Sequence, residues 1–480
     1  MRGQVAALAL IAATSPALAD DATAEGARGI EDAYAAYFGR QAIVDGVIKA
    51  EPDGDAYVIS WDLGKAASAL GAPADALKMD PFTYRLKPEA DDGWSWSGLA
   101  LPRISLKASN DKGPSSADVN FDGFSLAGRW DPSHEPFLVT KLALGAVNGD
   151  FAQTDPNGIS HIHWIQNDLS LETRAQTNSA GGVDVALVQS VGKLTETVTP
   201  PDGQGGAAAE VKLESDFAPG GAAITGLRAR EIGALWRTLA AAADSGAAPQ
   251  GLAELMTAAL PLWNDMGAEV RLQNIKIDSA FGGGEIAGFG ETVKLAGLGD
   301  EGRVEFGVDL DGLTLQSPMA PPWIARLTPL STKIAVALTD SGVGNAARIA
   351  LADAKFGEQG QVSEQAQAAI DAALLAGDPR LVLLPGRLTN PTIDLAFEGS
   401  AELRPGAVAA EMKISADSLD KALAMASELG AAAPEMQGAV LILGLVKGLA
   451  TTQADGRLFW DVVVDGPKVT VNGSPLPTSP

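Results

Sequence analysis

Short runs of alternating apolar and polar residues recur along most of this chain and constrain its fold more than any other feature. Residues 57–61 and 82–86 are two examples. Successive side chains on a β-strand point to opposite faces, so such runs predict half-buried strands. Seven further runs show the same pattern: residues 103–107, 121–126, 271–277, 303–315, 333–338, 392–397 and 458–464. Gly, Pro, Asn and Asp separate them, and the sequences at 155–158 and 465–466 predict hairpin turns.

Helical spacing of apolar residues is confined to a few segments, which are clustered. These segments are residues 230–243, 251–266, 363–375, 417–429 and 435–450. Their apolar stripes would pack on a sheet. We therefore predict a β-rich α+β fold, in which long curved antiparallel sheets carry a few packed amphipathic helices and leave room for an apolar groove.

Composition narrows the classes of partner and site. The chain has 480 residues, of which 46% are hydrophobic and 20% charged, so it can bury a large core. Its net charge of −25 disfavours nucleic acid as a partner. The sequence contains no cysteine, which excludes disulfides and cysteine-ligated metal sites. No apolar run after residue 19 has the roughly 20 residues of a spanning helix.

The first nineteen residues have the order of an export signal. Arg2 supplies the positive start, an apolar run follows, and Ala17-Leu18-Ala19 places small residues before a cleavage site after Ala19. We therefore expect the mature protein to work outside the cytoplasm.

The rest of the chain is predicted to contain a β-rich region at 20–199 and an α+β region at 209–480. A Gly/Pro-rich segment at 200–208 joins them as a linker or as a long hairpin loop. The alternative is that residues 20–480 form one continuous elongated domain.

No group of residues predicts a reaction, and we assign no catalytic residue and no cofactor. His161 and His163 would share one face of a strand and are the only candidate metal ligands, although a solvated strand face is the favoured interpretation. The glycine pattern at 297–302 precedes a strand rather than a helix, so it predicts a hairpin turn and not a nucleotide site. Trp94 and Trp96 form either a ligand-binding aromatic surface or, as we favour, core packing.

The C-terminal sequence, residues 456–476, resembles the closing hairpin of bacterial envelope proteins in the domain-of-unknown-function family 2125. It ends in Asn472-Gly473-Ser474-Pro475-Leu476, as the related YdgA-like proteins end. The blocks at 232–237 and 321–323 are also similar to that group. The resemblance implies an exported, sheet-rich protein of the bacterial periplasm without an assigned activity, and a distant relationship to AsmA-like proteins, whose curved sheets form apolar grooves for lipid.

The leading functional hypothesis is therefore a non-enzymatic periplasmic protein that binds an apolar or lipid-like envelope ligand in a sheet groove. A structural or interaction protein of the envelope, without a small ligand, is the alternative. A metal- or carboxylate-dependent hydrolase is a second alternative. The expected partner is a lipid or another envelope protein, with no nucleic acid and no membrane span once the signal is removed.

Overall fold

The computed structural model describes residues 21–73, 75–89, 93–110, 113–130, 139–155, 158–201, 210–245, 251–297, 299, 302–318, 324–353, 363–404, 407–417, 419–432 and 437–476. The predicted signal with Ala19 and the block at 321–323 lie outside these residues. Contacts divide the chain into a first unit, Met1–Met266 with Leu351–Ser363, and a second unit, Gly267–Ala350 with Glu364–Pro480.

The first unit is a large antiparallel sheet with helices near its two ends in sequence. Its elements are α1 (Ala24–Phe38), α2 (Arg40–Val44), β1 (Ile48–Asp53), β2 (Ala56–Trp61), α3 (Leu63–Ala69), β3 (Leu77–Met79), β4 (Phe82–Pro88), β5 (Trp94–Ala100), β6 (Ile104–Asn110), β7 (Gly113–Asp122), β8 (Ser125–Trp130), β9 (Val139–Asp155), β10 (Gly158–Thr177), β11 (Val183–Ser190), β12 (Lys193–Thr199), β13 (Val211–Leu227), α4 (Ala229–Ser245) and α5 (Leu252–Ala259).

The long hairpin β9–β10 joins the two parts of this sheet. One edge of β9 pairs with β8, which continues through β5, β4 and β2 to β1, and with β7, which continues through β6 to β3. Strand β10 pairs with β9, then with β12 and β11 along its other edge, and both of these pair with β13. Every one of these pairings is antiparallel.

Aromatic side chains form the main core of the first unit. Trp94, Trp96 and Trp130 are buried together with Tyr34 of α1 and Tyr84 of β4. Tyr84 lies edge-on to Trp96, with ring centroids 5.7 Å apart. Because Trp94 and Trp96 are buried, the core-packing interpretation of these residues is confirmed.

Two phenol hydroxyls lie inside this core. The Tyr34 and Tyr84 hydroxyls hydrogen-bond to each other across 50 residues of sequence. Burial, with the neighbouring Tyr84, raises the pKa of Tyr34 well above its ordinary value, and burial raises the pKa of Tyr84 to about 12. Burial in an apolar core disfavours the phenolate, so both groups stay neutral over the physiological range.

Replacement of one tyrosine should therefore cost more than replacement of both. We expect Tyr84→Phe to lower the free energy of unfolding by about 1–3 kcal/mol, because the Tyr34 hydroxyl loses its partner in an apolar site. The double variant Tyr34→Phe, Tyr84→Phe should recover part of that loss in a double-mutant cycle measured by denaturant unfolding. Strictly additive losses would contradict the pairing.

The same pair predicts an alkaline transition. Because both pKa values are higher in the folded state, the stability they contribute is complete below pH 10 and is lost as pH rises toward and beyond about 12. The double phenylalanine variant should lose less stability than the wild type over this interval.

The second unit is built around a sheet in which strands pair mostly with their neighbours in sequence. Its elements are β14 (Asp265–Ser279, whose first two residues belong to the first unit), β15 (Gly282–Ala296), β16 (Val304–Gln316), α6 (Ile324–Leu327), β17 (Leu330–Thr339), α7 (Val343–Asp353, which ends in the first unit), α8 (Glu364–Ala376), β18 (Arg380–Asn390), β19 (Ile393–Arg404), β20 (Ala407–Ala416), α9 (Asp420–Ala432), α10 (Gln437–Gly448), β21 (Thr451–Thr452), β22 (Leu458–Asp465), β23 (Lys468–Val471) and β24 (Ser474–Pro475).

Strands β15 to β20 pair in chain order, each antiparallel to the next. The helices α9 and α10 follow β20, after which β22 returns to pair with it, and β23 and β24 complete the order. The helical segments therefore interrupt the chain without interrupting the order of the strands.

A small core at one end of this sheet fixes the closing hairpin. Trp460 of β22 is buried with Ala416, Leu419 and Val471, and its indole Nε1 donates a hydrogen bond of 2.8 Å to the carbonyl of Val446 in α10. The indole thus attaches α10 to the sheet.

Asn472 connects three segments at this end of the sheet. Its Oδ1 accepts from the backbone N–H of Asp461 at 2.8 Å, and its Nδ2 donates to the carbonyls of Leu449 at 2.8 Å and Phe459 at 3.1 Å. Its φ of 50° is in the left-handed region, which asparagine tolerates better than most residues. The asparagine of the Asn-Gly sequence near the C-terminus is therefore explained by its hydrogen bonds and its backbone conformation.

We expect Asn472→Ala to lower the free energy of unfolding by about 2–4 kcal/mol, because three backbone groups lose a partner and alanine is strained at positive φ. Asn472→Gly is the matched control: it removes the same hydrogen bonds without the strain, so its loss should be smaller by about 1 kcal/mol. Equal losses in denaturant unfolding would show that the backbone conformation contributes nothing.

The β-rich α+β class predicted from the sequence is confirmed. Both hairpin turns are also confirmed by the register: Asp155 pairs with Gly158 and Asp465 with Lys468, although residues 156–157 lie outside the described chain. The glycine pattern at 297–302 connects β15 to β16, whose pairing at Leu295 and Val304 is that of a hairpin; residues 298, 300 and 301 lie outside the description.

Two expectations about local structure were wrong, and three helices were missed. Residues 121–126 are not one strand, because the chain turns at Gly123, with φ of 65°, between β7 and β8. The helix expected at 251–266 ends at Ala259, because Pro261 holds Leu260 in an extended conformation. The helices α1, α2 and α3, which lie near the N-terminus, were not predicted.

The segment expected at 200–208 to be a linker or a hairpin loop lies almost entirely outside the described residues. The strands on either side, β12 and β13, pair with each other from Val198 and Val211 onward. The segment therefore connects neighbours within one sheet, and the division between the units falls at Met266 and Gly267 instead.

Candidate functional site

The sheet of the second unit has one apolar and one charged face. Residues directly opposite each other on paired strands share a face, so the register assigns each side chain. Two rows of apolar residues cross seven strands on one face. The first row is Leu295, Val304, Leu338, Leu381, Ala401, Ala410 and Val464. The second row is Val293, Phe306, Val336, Leu383, Gly399, Met412 and Val462. We call these two rows the apolar face.

Several members of the apolar face are open to solvent. Phe306 and Leu381 are each 46% exposed, and Val304 and Met412 are also exposed. An antiparallel sheet commonly has one solvated face, but that face is normally the polar one. Here the exposed aliphatic and aromatic side chains are contiguous across strands, which is typical of a surface that binds a partner or a ligand.

The opposite face carries the charges of the same strands. Glu305 accepts from the ammonium group of Lys294 and from the guanidinium group of Arg303, each at 2.8 Å, and Arg380 pairs with Glu402 at 3.2 Å. The hydrogen bond from Lys294, with that from Arg303, holds the pKa of Glu305 below its usual value. Glu305 is itself only 6% exposed, so these two cations neutralise a carboxylate that is buried on this face.

Residues next to α9 and α10 pack beside Val462, at one end of the apolar face. Leu419 precedes α9, Leu449 follows α10, and both pack against the buried Trp460 and Ala416. From there the rows run toward Val304 and Leu381, where exposure is high. The apolar face thus has one packed end, beside α9 and α10, and an open remainder.

A shallow pocket lies on the charged side of the same strands. It forms at a β-bulge in β18, where the register shifts between Leu383 and Gly386 and Pro385 needs no ladder hydrogen bond. Its volume is about 230 Å³, and its lining is Val382, Leu383, Leu384, Pro385, Glu398, Gly399, Ser400, Glu411 and Lys413. The Ser400 hydroxyl donates to the carboxylate of Glu411 at 3.3 Å.

The two candidate metal ligands lie on the exposed surface of β10 in the first unit. His163 Nδ1 is 2.7 Å from Asp150 Oδ1, and His161 lies opposite Ala152 on β9 and Thr199 on β12. Within the described ranges, no group of three or more His, Asp or Glu side chains is arranged to hold a metal ion. The third histidine, His134, lies outside the described residues.

Sequence reasoning missed three strands that carry the apolar face: β15, β18 and β20. Residues 381–384 of β18 form a continuous apolar run, which alternation does not detect. A search for short apolar runs bounded by Asp, Pro and Gly would have found it.

No family model, curated protein or solved structure matches this chain. The resemblance to family 2125 therefore remains a prediction. Among the helices of the described residues, none is long and apolar enough to cross a membrane.

Proposed function

We propose that this is a non-enzymatic protein, exported to the periplasm, that binds a lipid or similar apolar ligand on the apolar face of the second unit. The observation that carries this proposal is the exposure of Phe306 and Leu381, one in each of the two apolar rows. Water in contact with such a surface is released when an acyl chain covers it, and that release favours binding.

The size of the surface suits a long acyl chain. Seven strands spaced about 4.8 Å apart extend over roughly 29 Å, longer than a C16 chain. Burial of each methylene contributes about 0.8 kcal/mol, and the lost freedom of chain and ligand offsets a large part of the sum. Affinity should therefore rise steeply with chain length, by up to about fourfold for each methylene that contacts the face.

The test uses the mature exported protein. Native mass spectrometry and lipid extraction of the purified protein should recover a bound lipid, and a fluorescent C16 acyl probe should bind saturably and more tightly than a C8 probe. A protein free of lipid that binds neither probe would overturn the proposal. That result would favour the alternative of a structural or interaction protein, whose partner covers the face instead.

Export is tested separately by N-terminal sequencing of the protein recovered from the periplasmic fraction. The mature chain should begin at Asp20, directly after Ala19. A protein that remains in the cytoplasm with Met1 intact would overturn the assignment of compartment without bearing on the apolar face.

A further inference from the structure

Helix α10 presents its apolar residues to solvent. Leu441 is 76% exposed, Ile442 63% and Leu445 68%. Lys447 is the only charged residue between Gln437 and Gly448. A surface helix of a water-soluble domain normally has the opposite arrangement, with its apolar stripe toward the core.

The orientation of α10 is fixed by contacts on its other side. The Lys447 ammonium group pairs with Asp420 of α9, and the Val446 carbonyl accepts from Trp460 of the sheet. The polar end of the helix is thus bound to the protein while the three aliphatic side chains stay outside. Rotation of the helix to bury them would break both contacts.

The exposed side chains are too few for a stable dimer and the helix is too short to cross a bilayer. Leu441, Ile442 and Leu445 offer roughly 400 Å², about half of the 800 Å² per partner that a stable protein interface buries. Twelve residues extend about 18 Å as a helix, against about 30 Å of hydrocarbon. An aliphatic face of this size fits shallow insertion into the interfacial region of a membrane.

We propose that α10 docks this protein on a lipid bilayer by inserting Leu441, Ile442 and Leu445 below the headgroups. Lys447 pairs with Asp420 of α9, Arg326 of α6 pairs with Glu428 of α9, and the chain as a whole carries −25. The attraction is therefore hydrophobic, so zwitterionic membranes suffice and anionic lipid weakens docking. A peripheral helix that depends on basic residues responds in the opposite way.

Membrane docking goes beyond the binding of a ligand, because it would bring the protein to a bilayer with which it could exchange that ligand. This role in exchange rests on the proposed function. The contact itself depends on α10 alone, so the two can fail independently.

The first experiment is flotation of the mature exported protein with vesicles of phosphatidylcholine alone and with vesicles that also contain about 30% anionic phosphatidylglycerol. The wild type should float with phosphatidylcholine, and less with the anionic mixture. Leu441→Ser with Leu445→Ser should reduce the vesicle partition coefficient at least about 30-fold. The matched control is Leu70→Ser with Val44→Ser, which removes two aliphatic side chains that are equally exposed elsewhere and should change nothing.

A second measurement keeps the test valid if the serine pair alters the fold. The chain has no cysteine, so Ile442→Cys creates a unique site for an environment-sensitive fluorophore. Its emission should shift to the blue on addition of phosphatidylcholine vesicles, whereas the same label at Leu70→Cys, a position 85% exposed, should not shift.

Failure of the wild type to float, or equal flotation of the serine pair, would overturn the docking proposal. So would equal shifts of the two labels. Flotation that persists in a wild type unable to bind the acyl probe would leave docking intact and remove the proposed function.

Discussion

Replacement of Phe306 and Leu381 together by glutamine should weaken binding of the C16 acyl probe about 100-fold. Each side chain offers an exposed apolar surface on the apolar face. Loss of its contact with an acyl chain costs about 1.5 kcal/mol, which is about a tenfold loss of affinity. Both residues are already in contact with water, so the free energy of unfolding should change by less than about 1 kcal/mol. Titration of the fluorescent probe measures the binding loss.

Val463→Gln is the matched control for this pair. Val463 is an exposed aliphatic residue of the same sheet, but it lies opposite Glu411 and so belongs to the charged face. Its replacement should leave the acyl affinity within about twofold. An equal loss at Val463, or no loss in the double variant, would show that the probe binds elsewhere.

The second large effect concerns stability. Trp460→Ala should lower the free energy of unfolding by about 3–5 kcal/mol, because it leaves a cavity between the sheet and the helices α9 and α10 and removes the hydrogen bond to Val446. Denaturant unfolding followed by circular dichroism measures the loss. Trp460→Phe retains most of the packing and should lose about 1–2 kcal/mol.

Trp236→Ala serves as the control, since the indole of Trp236 is exposed on α4. The same substitution there should change the free energy of unfolding by about 0.5 kcal/mol or less. Equal effects at the two tryptophans would mean that the buried contacts of Trp460 do not stabilise the second unit.

Local patterns predicted the position of many strands but not the order and register in which those strands pair. Residues 303–315 alternate clearly, and β16 occupies almost that range. Helix α1 was missed. The side chain of Thr23 caps this helix by accepting a hydrogen bond from the backbone N–H of Gly26, and its buried side includes Ile30 and Tyr34. Alanine and glycine surround those residues and weaken the apolar periodicity on which recognition depends.

The apolar face could not be predicted because it depends on register. Val304 and Leu381 lie 77 positions apart in sequence and meet only through Leu338 of β17. A shift of one residue in any of these pairings would send one of them to the charged side. The sequence placed apolar residues on one face of each strand, but whether a helix would cover that face depends on tertiary packing.

The order of strands in the second unit has a consequence for how this protein can diversify. Strands β17 and β18 are adjacent although the connection between them contains helices, and the same holds for β20 and β22 around α9 and α10. The entropy of closing a connection grows only slowly with its length. Mutation can therefore lengthen, shorten or exchange these insertions while the pairing of the flanking strands persists, so relatives with one common sheet could evolve separate specificities through their insertions alone.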